Sequence, residues 1–232
     1  MRQRMLFLGL VAVAAGGLGG TCAVLAPGLI VIDTRIPLDQ LRAEIRIEPG
    51  EEAGQVRATA LFTDTLGRAV RLGAGQVVAL NGVPLAAVGL GPAYAASLAA
   101  ADAYEIAVRE PTRGVEITRV DGPPAFEITA PGAGGAVSLL GFQLEWSGAD
   151  GAQTVEIRIA QTFGGRREEA RLGPEVDIGS RVLEAADLRK FVQGVDLEIA
   201  VRKRRMSTAV AGFRQAVVTV AAVATRTATP RP

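Results

Sequence analysis

The sequence predicts an all-β protein: two tandem antiparallel β-sandwich domains following an N-terminal signal or anchor segment. Three observations carry that expectation. Beyond Asp33 the apolar residues recur with period two rather than 3.6, as in strands with one face in water. Turn dipeptides separate these runs at the spacing of a sandwich. A Pro-Pro break then divides the exported part into two pieces of similar size.

The N-terminus comes first. Arg2 and Arg4 form a short positive region, and an uncharged stretch runs from Met5 to Ile32. Residues 1–21 read as a signal peptide or membrane anchor and 22–32 as a tether. The positive start predicts that the N-terminus stays inside and the rest of the chain is exported. The chain's single cysteine, Cys22, follows the apolar stretch directly. Its position resembles that of the lipid-modified cysteine of bacterial lipoproteins, although Leu18 stands one place earlier than in the usual motif and Thr21 is an unusual last residue. Three outcomes stay open: acylation at Cys22, an uncleaved anchor long enough to span a bilayer, or cleavage with release.

The predicted strands follow in order. Ala43, Ile45 and Ile47 alternate with Arg42, Glu44, Arg46 and Glu48. Val56, Ala58, Ala60 and Phe62 form a second inward face. Asn81-Gly82 marks a two-residue hairpin, weakened by Pro84. Tyr104, Ile106 and Val108 form another face, then Val115 and Ile117. The break Asp121-Gly122-Pro123-Pro124 is a linker (121–124) between domain 33–120 and domain 125–227. In the second domain Phe142, Leu144 and Trp146 share a face, as do Val155, Ile157 and Ile159, and then Leu197, Ile199 and Val201. One helix is expected over Glu184–Val192, stopped by Gly194. The last strand, Gln215–Thr225, reads as buried on both faces, and 228–232 as a flexible tail. The pentapeptide Glu105-Ile106-Ala107-Val108-Arg109 recurs as Glu198-Ile199-Ala200-Val201-Arg202, which fits two similar domains.

The second domain resembles fibronectin type III and related immunoglobulin-like modules. Leu144-Glu145-Trp146-Ser147 is similar to their B strand with its core tryptophan, Thr154–Ala160 to strand C, and Leu188 with Val195–Arg202 to the E–F crossover and strand F. Leu197 stands where an aromatic is usual. The whole layout resembles bacterial envelope lipoproteins with tandem sandwiches, whose modules mostly bind, space or scaffold. Fold alone does not fix that role.

The composition narrows the chemistry. With no histidine the chain has no imidazole base, no Ser-His-Asp or Cys-His nucleophile and no histidine-ligated metal. One cysteine excludes an internal disulfide and a cysteine-ligated metal cluster. A net charge of +1 gives no electrostatic case for nucleic acid. No phosphate-binding loop or nucleophile motif occurs. The adjacent carboxylates Glu51-Glu52 and Glu168-Glu169 would face opposite sides of a strand. Asp121 and Asp150 read as turn residues. The dense basic run Arg202-Lys203-Arg204-Arg205 is expected at a hairpin tip, as a candidate contact for anionic headgroups or acidic glycans. Trp146 is expected to anchor the core.

The resulting expectation is a non-enzymatic, cofactor-free protein of the cell envelope. It would be tethered through its N-terminus, with Cys22 as lipid attachment point, and would bind or scaffold an unknown envelope protein or glycan. The alternative is an accessory domain or subunit of an exported carbohydrate-active or hydrolytic system.

Overall fold

The computed structural model describes residues 36–89 and 91–232. Cys22 and the rest of the predicted signal and tether lie outside the described residues. What is described is built from strands: β1 (Arg42–Pro49), β2 (Gln55–Thr63), β3 (Val77–Leu80), β4 (Val83–Pro84), β5 (Ala86–Ala87), β6 (Ala93–Ala99), β7 (Ala103–Glu110) and β8 (Gly114–Asp121). There follow β9 (Ile128–Ala130), β10 (Gly135–Ser138), β11 (Gly141–Trp146), β12 (Thr154–Phe163), β13 (Arg166–Val176), β14 (Ser180–Glu184), β15 (Leu197–Ser207) and β16 (Gln215–Arg231). One helical turn, α1 (Ala185–Leu188), lies between β14 and β15.

The strands form three open sheets. The largest runs β13-β12-β15-β16-β1-β2-β6-β5, with β10 also beside β16. A second runs β14-β11-β9 and a third β4-β3-β7-β8. The all-β expectation therefore holds, and the layers are compatible with a β-sandwich. Period-two patterning is the cause. In β1, Ala43, Ile45 and Ile47 are buried while Arg42, Glu44 and Arg46 face water. Two apolar cores result. One gathers Ile45, Phe62, Leu80 and Ile106; the other gathers Leu144, Trp146, Ile157 and Ile199.

β16 joins the two. It pairs antiparallel with β15 from Leu197↔Ala228 to Ser207↔Val218. Its other edge pairs first in parallel with β1, from Arg42↔Gln215 to Ile47↔Val220, and later in parallel with β10. Ala216, Val218 and Val220 belong to the first core and Ala228 to the second. The β15–β16 hairpin also delivers Val210 to the first core, with Phe213 packed against it and stacked on Phe62 at 5.7 Å. Piece 125–227 thus contributes a strand and a loop to the first core, which the sequence division did not anticipate.

Four local expectations change. β16 is not buried on both faces: its burial alternates, because one side faces the cores and the other is only partly covered. The tail 228–232 is not free, since β16 extends to Arg231 between β15 and β10, with Ala228 and Pro230 buried. The Pro-Pro linker is packed rather than spacing: Gly122 and Pro123 are buried, and the Gly122 N–H donates to Asp102 O at 2.8 Å. The helix over Glu184–Val192 shrinks to one turn. The Gln161 side chain, 3% exposed, takes the Val192 N–H on Oε1 (2.8 Å) and donates Nε2 to the carbonyls of Val192 and Val195 (2.9 and 2.7 Å). That pins the backbone in a non-helical path. The Asn81-Gly82 hairpin forms between β3 and β4, with φ of 47° and 78°, the left-handed pair that a type I′ turn requires.

Candidate functional site

The basic run was the sequence's densest charge, and it lies within β15 rather than at a hairpin tip. Strand alternation divides it. Leu197, Ile199, Val201 and Lys203 share the inward phase and are buried. Arg202 and Arg204 are partly exposed and face carboxylates, Glu48 at 3.7 Å and Glu156 at 2.8 Å. Arg205 is half-buried in the field of Asp150. The four residues therefore do not form one cationic patch, and Lys203 is out of reach of any external anion.

Lys203 instead sits in a buried polar cluster. Its side chain and that of Asp177 are both 0% exposed, with Nζ 2.8 Å from Asp177 Oδ2. Nζ donates to the carbonyl oxygens of Ser147 (2.9 Å) and Gly148, and lies 4.6 Å from the centroid of the Phe126 ring. Asp177 Oδ1 accepts from Trp146 Nε1 (2.7 Å) and from the Gly179 N–H (3.1 Å). Trp146 is 4% exposed and is the core anchor expected, with its one polar atom satisfied by Asp177. Gly179 has φ of 82° and its added Cβ would meet Ala149 Cβ at 3.0 Å, so this close turn requires glycine. Sequence reasoning missed Asp177 entirely. The one available signal for Lys203 was its phase with Leu197, Ile199 and Val201.

Farther along β12, β13 and β15 the outward side carries an ion-pair lattice. Arg158 meets Glu169 (3.2 Å) and Glu198 (4.0 Å), Arg167 meets Glu198 (3.0 Å), and Arg171 meets Glu169 (2.5 Å). Partial burial pushes the Glu169 carboxyl up, but the Arg171 hydrogen bond and the charges of Arg158, Arg171 and Arg167 outweigh it and hold Glu169 below the usual range. Glu168, its neighbour on β13, is exposed. Asp150 is held low by hydrogen bonds from the Ala152 N–H (3.0 Å) and Gln153 Nε2 (2.9 Å). It folds its own turn, and Asp121 pairs with Arg119 at 3.7 Å.

Concavities are modest. A shallow depression of about 280 Å³ lies where β1, β2 and β16 meet, lined by Arg42, Glu44, Leu61, Thr63, Gln215 and Val217. Another, of about 10 Å³, lies by Leu38, Glu110 and Arg113, with room for a single water. Among the described residues no group of three or more acidic or cysteine side chains is placed to hold a metal ion, and no helix is long and apolar enough to cross a membrane. The chain matches no protein-family model, and no curated protein is significantly similar to it.

Proposed function

We propose that this is a non-catalytic, exported cell-envelope protein, tethered to a membrane through its N-terminus and acting as a rigid binding or scaffolding module. Two immunoglobulin-like sandwiches would form its body. Strand order supports that reading. Residues of β1-β2-β6 and of β3-β7-β8 share the first core, and residues of β9-β11-β14 and of β12-β15-β16, with Val137 of β10, share the second. The first set resembles the A-B-E-D against C-F-G division of an immunoglobulin sandwich with β4 added, and the second resembles it without a D strand and with β13 added. The repeated pentapeptide falls in β7 and β15, each flanked by the equivalent pair of strands (β3 and β8, β12 and β16), with Ile106 and Val108 buried like Ile199 and Val201.

The observation that carries the functional reading is the sharing of β16 between both cores. A shared strand leaves little hinge freedom, which suits a module that holds a partner at a fixed position from its anchor. The partner would be an envelope protein or glycan.

The test is made in cells of the source species. Membrane fractions should contain a chain whose N-terminal residue is acylated Cys22, and Cys22→Ser should release it from the membrane or trap its precursor. Crosslinking in intact cells should then capture a discrete envelope partner. An unprocessed chain starting at Met1 in the cytosol would overturn export, and one starting at Met1 in the membrane would replace lipidation by an uncleaved anchor.

A further inference from the structure

We propose that Lys203 and Asp177 condense into a side-chain amide, a covalent cross-link that ties β15 to the turn between β13 and β14. A buried ion pair recovers its desolvation cost only with good geometry and full hydrogen bonding. Here the geometry is unusual. Nζ lies 2.8 Å from Oδ2, yet Oδ2 accepts no hydrogen bond, so the approach is close without being aligned for donation. The other oxygen, Oδ1, accepts two N–H donors, from Trp146 and Gly179. The carboxyl is thus asymmetric, with one oxygen clamped and one left against the amine.

That asymmetry fits condensation. The first step is transfer of one proton from the Lys203 ammonium to Oδ2, across the 2.8 Å between them. The freed lone pair on Nζ attacks Cγ of Asp177 and the C–N bond forms. The developing negative charge falls on Oδ1, where the Trp146 and Gly179 donors already point, as oxyanion-stabilising donors do. A second proton moves from Nζ to Oδ2, the Cγ–Oδ2 bond breaks, and Oδ2 leaves as water. The balance is ammonium plus carboxylate giving amide plus one water, with no oxidant, reductant or other reactant. Holding the two groups together replaces the encounter that makes this reaction slow between free molecules. The product keeps its partners: Oδ1 retains both donors, and the remaining N–H faces the carbonyls of Ser147 and Gly148.

The test is a peptide map of the full chain as isolated, cut at arginine. The expected result is fragment 172–181 joined to fragment 203–204, lighter than their sum by one water, with the bond placed between Lys203 and Asp177 by fragmentation. Lys203→Arg should yield no joined fragment. Recovery of fragment 172–181 on its own at full mass would overturn the proposal. Recovery on its own but lighter by one water would also overturn it, because that is the backbone succinimide at Asp177-Ile178.

Discussion

At Asp64 one carboxylate organises a whole turn. Oδ1 accepts the N–H groups of Leu66 and Arg68, both at 2.9 Å, and Oδ2 accepts Arg68 Nε at 2.6 Å. Burial alone would push this carboxyl up, since the residue is 4% exposed. The Arg68 and Leu66 hydrogen bonds and the Arg68 charge outweigh burial and hold it below its ordinary value. The folded pKa being depressed, the stabilisation is present above the unfolded value near ~4 and is lost as pH falls through the folded value. Asp64→Asn should cost about 1 kcal/mol at neutral pH, discounted because Arg68 is half exposed. It should also flatten the acid side of a plot of urea midpoint against pH. An unchanged acid slope would assign that slope to other carboxylates such as Glu169. Trp146 was legible because it continues the Phe142, Leu144 face. Lys203 was not, because four consecutive basic residues read as solvated, although the strand's period turns every second one inward. Asp177 had no local signature: its role depends on Trp146 and Lys203, which are distant in the chain.

At the scale of elements, the β15–β16 hairpin is the decisive piece. Its loop packs Val210 and Phe213 against the first core. The approach requires glycine at 212, where φ is 84° and an added Cβ would meet Val108 Cγ1 at 2.8 Å. Gly212→Ala should therefore destabilise by more than about 1 kcal/mol, combining a strained backbone with overpacking. Denaturant unfolding followed through Trp146 checks it, since that fluorophore sits in the other core and responds only if the two are coupled. Strands with a clear apolar-polar alternation, such as β1, β2, β7, β12 and β15, were legible because alternation is local, whereas the short β9 and β10 and the highly charged β13 carry too little of it to be read. The partner of β16 was not. Its parallel pairing with β1 joins opposite ends of the described chain, and a near-continuous apolar run such as Ala216–Ala224 does not tell which neighbour lies on either edge. The same apolar run makes β16 read as buried on both faces, where only one is.

Taken as a whole molecule, the two cores should melt together. Removing β16 from either would remove it from both, and the Gly122-Pro123 segment packs where a flexible linker would leave a cut site: an added Cβ on Gly122 would meet Val220 Cγ1 of β16 at 3.3 Å. Calorimetry should give one transition whose van't Hoff and calorimetric enthalpies agree. Two separated transitions would show independent domains, and rapid proteolysis at 121–124 would show the joint to be loose. The Pro-Pro pair was readable as a break in the strand pattern, but its burial was not, since packing against β16 leaves no trace in the local sequence.

The direction of β1 beside β16 has a mechanical consequence. The two strands run parallel over Arg42↔Gln215 to Ile47↔Val220. The chain before Arg42 leaves from one end of this ladder, and β16 continues toward the C-terminus from the other. Tension between an anchored N-terminus and a load carried near the C-terminus would pull the strands along their own axes in opposite directions. All the ladder's hydrogen bonds would then resist in shear at once instead of opening one after another like a zipper. A protein tethered at its start and loaded at its end would be strongest along the line on which it is held.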